Sequence, residues 1–256
     1  MPVTLYKEGE HEILAFQDLI KGGEGVQSNQ FLVIHGDHTA LIDPGGDLTY
    51  TPLSMEIGRH ITIRDLDYVI VSHQDPDIVA SIDKWLLYTN CKVAVSERWE
   101  RFLPHLVPGY MEDKGQGRYE SIPDNGGNIH LGDCVIKALP AHFLHSIGNF
   151  SFYDPVSKIL FSGDIGASIG AEGVESPVKD FEAHIPFMAG FHRRYMGSNK
   201  VARYWVKMVR SLDVAAIVPQ HGRPFMGAEI VEKFLSWFEQ LECGVDTMTQ
   251  QMYQVP

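Results

Sequence analysis

Leu66-Asp67-Tyr68-Val69-Ile70-Val71-Ser72-His73-Gln74-Asp75-Pro76-Asp77 passes from an apolar, β-branched run to a helix start within a few residues. The run predicts a buried strand. Pro76 suits the first position of a helix, and Asp75 before it is held toward extended backbone. Asp75 can therefore be an N-cap, and Asp77 a first-turn carboxylate facing the helix dipole. Neither role accounts for His73. Side chains at i, i+2 and i+4 of a tight strand-to-helix turn can instead converge beyond the carboxyl end of the strand, where α/β proteins tend to bind ligands.

Working outward, Asp77 to Leu87 has helical spacing, with Ile78, Ile82, Trp85 and Leu86 on one face. Upstream, strands are expected over Thr4–Tyr6, Ile13–Phe16, Phe31–His35 and Thr39–Ile42, the last two joined by a hairpin at Gly36-Asp37-His38. Downstream come a strand over Lys92–Val95 and a helix over Glu97–Leu106. A glycine-rich stretch around Gly115–Gly117 and Gly126-Gly127 separates two halves. The second half predicts strands at Cys134–Leu139, Phe150–Tyr153, Ile159–Phe161 and Val214–Val218. Its helical patterns cover about Phe181–Tyr195, Lys200–Leu212 and Glu229–Leu241. Strands, helices, strands and helices in that order predict an α/β fold of two face-to-face sheets with helices outside. No repeat or linker divides residues 1–256, so a single domain is expected.

The 256 residues carry a formal charge of −12. That disfavours binding to nucleic acid, which rests on Lys and Arg meeting phosphates, and to an anionic membrane surface. The N-terminal MPVTLYKEGEHEILAF has no signal-peptide pattern, and no run approaches a membrane span. Cys91, Cys134 and Cys243 are far apart in sequence and form no C-x-x-C pair. That fits reduced thiols in a cytoplasm and excludes a four-cysteine iron site or zinc ribbon.

Three more polar residues follow apolar strands. His145 lies in Phe143-Leu144-His145-Ser146-Ile147-Gly148-Asn149, Asp164 follows Leu160-Phe161-Ser162-Gly163, and His221 lies in Val218-Pro219-Gln220-His221-Gly222. Each alone reads as a turn residue; four such positions at four strand ends point to a shared site. His11, His35, His38, His60, His105 and His130 sit in polar or turn-like contexts and are expected in surface or capping roles. His184 and His192 share one helical stretch and are expected at the surface or a pocket rim.

His-x-Asp-x-Asp at 73–77, Phe-Leu-His-x-x-Gly-Asn at 143–149, Ser-Gly-Asp at 162–164, Pro-x-His-Gly at 219–222 and Leu41-Ile42-Asp43-Pro44-Gly45 together resemble the metallo-β-lactamase superfamily. Within it the pattern is similar to flavodiiron proteins and to stand-alone oxygen-binding di-iron proteins. The resemblance implies an αββα sandwich. It also implies one metal on His73, Asp75 and His145, another on Asp77 and His221, and Asp164 between them. His142, three residues before His145, is the competing imidazole; the motif favours His145 as ligand and leaves His142 a supporting role. Two positions depart from the hydrolases of the superfamily: Asp75 stands for a histidine, and so does Ile78, which cannot ligate.

Imidazoles and carboxylates without thiolates suit iron, manganese or zinc. The resemblance favours two irons over zinc or manganese, bridged by oxo or hydroxo. It implies binding and reduction of O2 or NO. The same site as an O2 sensor coupled to signalling, or as a di-zinc hydrolase, stays open. The sequence ends at Pro256, with no room for a flavodoxin domain, so no flavin is expected in the chain. Electrons for reduction would come from a separate flavodoxin- or rubredoxin-type donor, and a homodimer is expected. Tyr195 resembles a tyrosine near the metals of flavodiiron proteins and is the candidate catalytic residue, a phenol able to hydrogen-bond a bound oxygen species. Met188, Phe187 and Phe191 are candidates for an apolar wall.

Overall fold

The computed structural model describes residues 2–20, 25–108, 115–171 and 173–255. Among these, thirteen strands form two sheets. The first contains β1 (Val3–Glu8), β2 (His11–Phe16), β3 (Gln30–His35), β4 (His38–Ile42), β5 (Tyr68–Ile70), β6 (Lys92–Ser96) and β7 (Tyr119–Ile122), side by side in chain order. β1 to β4 pair antiparallel, and β4 to β7 parallel. The second sheet contains β8 (Gly127–Leu131), β9 (Cys134–Pro140), β10 (Phe150–Asp154), β11 (Ile159–Phe161), β12 (Ala216–Val218) and β13 (Phe225–Met226). There β11 and β12 are parallel and the other pairings antiparallel. The helices are α1 (Asp47–Ile57), α2 (Pro76–Val79), α3 (Ile82–Tyr88), α4 (Phe181–Tyr195), α5 (Asn199–Val209) and α6 (Ala228–Gln240).

Alternation along the strands builds the layers. Ile13, Val33, Ile42 and Ile70 point inward and meet Ile136, Phe150, Phe152, Phe161 and Val218 of the other sheet. Leu14, Leu32, Leu41 and Val69 point outward and pack on Leu53, Ile57, Ile82 and Trp85. Leu160 and Ile217 pack outward on Met188, Trp205 and Phe234 of α4, α5 and α6. Both faces of the central strands are therefore apolar, as sheets covered on both sides require. The result is the helix–sheet–sheet–helix sandwich that the strand order predicts.

The differences from the sequence reading have local causes. The helix expected from Asp77 to Leu87 breaks into α2 and α3 around Ser81. The Ser81 hydroxyl donates to Gly45 O at 2.6 Å and accepts from Trp85 Nε1 at 3.2 Å, tying the break to the preceding loop. Over Glu97–Leu106 only a 3-10 helix forms, Glu100–His105, because Pro104 cannot donate an α-helical hydrogen bond. Helix α1 has no counterpart in the sequence reading; Pro52 and two threonines mask it. Strands β7 and β8 lie in the glycine-rich divide. Gly126 between them has φ 84° and lies so close to Ala138 O that a Cβ would fall 2.3 Å from it, so this turn needs glycine.

Candidate metal centre

Strand β5 ends at Ile70, and Val71-Ser72-His73 turn into α2. Asp43, at φ 52°, closes strand β4 and accepts the Ser72 N–H on Oδ1 at 2.8 Å. Burial raises the Asp43 carboxyl to about 7, against the lowering effect of the Ser72 bond. Gly46 approaches Pro76 so closely that a Cβ would lie 2.8 Å from Pro76 O. The loop after β4 thus braces the turn that carries His73, Asp75 and Asp77.

Asp75 occupies the N-cap position of α2 with extended backbone, yet its side chain makes no capping hydrogen bond. Its Oδ2 lies 3.4 Å from His145 Nε2 and 3.8 Å from His73 Nε2. The capping alternative is set aside by this geometry. Asp77, in the first turn, lies 3.2 Å from His221 Nε2 through Oδ2.

Asp164 follows β11 and sits between the two groups. Oδ2 is 3.0 Å from His145 Nε2 and 3.7 Å from His73 Nε2, while Oδ1 is 3.5 Å from His221 Nε2. The residue is buried, and Oδ1 has no hydrogen-bond partner. A buried carboxylate oxygen left unsatisfied costs on the order of 1–3 kcal/mol, so its environment calls for a cation. The ligand atoms of His73, Asp75, His145 and Asp164 all lie within 4.8 Å of one another. The structure thus brings all six residues into one connected cluster, with Asp77 and His221 joined to the other four through Asp164.

The electrostatics are those of ionised carboxylates offset by protonated imidazoles. Burial favours neutral His145, but the approach of Asp164 and Asp75 outweighs it and raises the imidazole to about 10. For His221 burial again opposes, and Asp77 and Asp164 prevail, raising it to about 9. Burial dominates at His73 and lowers it. Asp164 is held well below the usual carboxylate range: burial works against this, and His73, His145 and His221 overcome it. Three imidazoles and three carboxylates, with no thiol among them, fit two divalent ions of the iron, manganese or zinc kind.

Residues that sequence reading passed over hold the ligands in place. His221 Nδ1 lies 2.7 Å from Gln27 O, which fixes a hydrogen on Nδ1 and points Nε2 into the site. The Asn29 amide donates to Pro219 O and Gly222 O, both at 3.0 Å, clamping the loop that carries His221. Gln220 Nε2 reaches Asp77 Oδ2 at 3.4 Å. Gln220 N–H donates to Gly163 O at 2.8 Å, joining the His221 and Asp164 loops. None of these has a sequence signal beyond proximity to a strand end.

His142 turns away, with Nε2 2.6 Å from Asp124 O. Tyr195, at the end of α4, is about half exposed; its ring stacks on Phe191 at 4.8 Å and meets the His145 ring edge-on at 5.9 Å. Met188 is buried in the helix-side core, whereas Phe187 is substantially exposed, so the two do not form one wall. The surface role expected of His192 is corrected: it is fully buried, its Nδ1 donates to Met188 O at 2.9 Å, and its Nε2 accepts from Gly166 N–H at 2.8 Å. That bond pins the loop following Asp164. His184 is buried as well. None of the described helices is long and apolar enough to cross a membrane.

Residues 26–222 match the model described as ODP family beta lactamase. Two solved structures share 38% sequence identity and a TM-score of 0.85 with this chain. One is a peroxy diiron species of the chemotaxis sensor ODP, covering 98% of this chain and 99% of that one. The other is the apo state of the chemotaxis sensor ODP from T. denticola, covering 99% of each. The rubredoxin oxygen:oxidoreductase of Desulfovibrio gigas superposes with a TM-score of 0.75 over 93% of this chain and 61% of its own. At 14% identity that likeness is one of fold. An uncharacterized protein of Methanocaldococcus jannaschii is 29% identical over 83% of this chain, which spans about half (53%) of that protein's length. The match across most of the chain, on a sandwich with this strand order, places the protein in the ODP family of β-lactamase-fold proteins.

Proposed function

We propose that this protein would hold two iron ions and act as an O2 sensor, the ions supplying the O2-binding chemistry. His73, Asp75 and His145 would hold one iron, Asp77 and His221 the other, and the Asp164 carboxylate, which faces both groups, would be shared. The observation that carries this reading is the position of Asp164. Its two oxygens face different histidines, and the buried Oδ1 lacks a partner. When bound, two ferrous ions supply the coordination sites and electrons that O2 binding requires.

The residues of the chain do the rest. Asp43 fixes the His73 turn, and Gln27 and Asn29 fix His221. Ile78, fully buried, offers no donor where the superfamily hydrolases have histidine, so the Asp77–His221 side has one ligand fewer. Phe191 and Tyr195 set their rings edge-on against His145 at 6.0 and 5.9 Å, and a phenol beside that ring is a candidate donor of a proton or hydrogen bond.

Sensing is favoured over reduction by the 38% identity to a chemotaxis sensor over nearly the whole chain. The separating experiment incubates the iron-loaded protein with O2 or NO and a flavodoxin- or rubredoxin-type donor. Sustained consumption at a rate set by the donor would favour reduction. One uptake event per site, followed by slow decay, supports sensing.

A further inference from the structure

A second convergence of ligating side chains lies at the other end of the sandwich, where β2 begins, β3 ends, β9 begins and β10 ends. His11 and His35 are paired across β2 and β3, and their Nδ1 atoms face each other at 3.0 Å. Cys134 Sγ lies with them, the three ligand atoms all within 4.8 Å of one another. His11 and Cys134 are buried, and His35 is partly exposed. The burial of His11 corrects the surface role expected for it.

The hydrogen atoms cannot be balanced by the two rings alone. His11 Nε2 is 2.9 Å from Asp154 Oδ2, and His35 Nε2 is 2.7 Å from Asp133 Oδ1. An ionised carboxylate only accepts, so each Nε2 carries the ring hydrogen. Both Nδ1 lone pairs then point at each other, which calls for a proton or a metal ion between them. A proton would satisfy the two imidazoles but leaves the Cys134 thiol with only a long contact to Asp154 Oδ1, at 3.9 Å. Two imidazoles whose far nitrogens are held by carboxylates, next to one cysteine, have the arrangement that supporting carboxylates impose on metal-binding histidines.

We infer that His11, His35 and Cys134 form a separate binding site for a borderline divalent cation of the zinc class, independent of the di-iron centre. Nitrogen and thiolate donors select zinc over the hard cations that prefer oxygen. Asp154 is engaged by His11, Ser157, the Val156 N–H and, at 3.9 Å, the Cys134 thiol, so it orients the site without ligating. A fourth ligand would come from solvent, on the partly exposed His35 side. The site staples β2 and β3 of one sheet to β9 of the other, and so acts on the stability of the sandwich.

Co2+ provides a test, because the six residues of the di-iron site include no sulfur. Full-length protein, with the di-iron site first filled with iron, is titrated with Co2+ and then with Zn2+. A thiolate-to-cobalt charge-transfer band is expected in the wild type and absent from Cys134→Ser. Bound zinc should exceed that of Cys134→Ser and His35→Ala by about one ion per chain, with iron content unchanged. A folded wild type without that band, a band that survives Cys134→Ser, or equal zinc in all three proteins would overturn the assignment.

Discussion

His73 and His145 aim their Nε2 atoms at each other at 3.2 Å, one from a strand end of the first sheet and the other from a loop of the second. Their rings meet edge-on with centroids 4.9 Å apart. Two imidazole nitrogens held this close, with Asp75 and Asp164 beside them, fit a shared cation. The fold supplies them from opposite sheets, so the site forms only when the sandwich closes.

Asp164→Ala removes the one carboxylate that faces both halves. Iron content after anaerobic loading should fall from about two per chain to one or none. Metal analysis of the purified variant checks this; Asp75→Ala should lose the ion on the His73 side.

Metal binding must displace protons from His145, at about 10, and His221, at about 9. Below both values each imidazole is protonated in the metal-free protein, so uptake releases about two protons and affinity climbs roughly a hundredfold per pH unit. The dependence flattens as pH passes 9. Competition titration against a chelator between about pH 6 and 8 measures the slope.

His192 is neutral and buried, with its value lowered to about 4 by burial, against the opposing pull of Met188 O and Asp164. An unfolded histidine takes up its proton near 6.5, before the folded one does. The unfolded state therefore binds more protons between about 6.5 and 4, and stability falls as pH drops through that window. The slope is roughly 1.4 kcal/mol per pH unit for this one group. His192→Phe should flatten the slope by about that amount while losing the bond to Gly166; denaturant unfolding at several pH values reads it.

Asp43→Ala leaves the Ser72 N–H buried without an acceptor, at a cost of about 1–3 kcal/mol. It should also weaken metal binding by freeing the His73 turn. Asp43→Asn keeps an acceptor and tolerates φ 52°, so it should retain most of both. Comparing the two variants by unfolding and by metal affinity separates the carbonyl-type acceptor from the charge.

The sandwich was legible because its strands carry strong periodic signals, and the six converging residues because they follow strand ends and match the ordered motifs of the resembled family. The supports were not. Asn29 and Gln27 act on residues about 190 positions away, and Asp43 on a turn 29 positions away. The buried roles of His11 and His192 depend on Asp154 and Gly166, which only tertiary packing brings near. The same holds for α1, whose Pro52 argues against a helix until Leu53 and Ile57 find the sheet.

The most direct measurement loads the protein with ferrous iron under anaerobic conditions, counts metal, and records absorption before and after O2. About two irons per chain and a new oxygen-dependent charge-transfer band, both lost in Asp164→Ala, are expected. Folded protein that retains no iron, or whose iron spectrum is unchanged by O2, would contradict the di-iron reading.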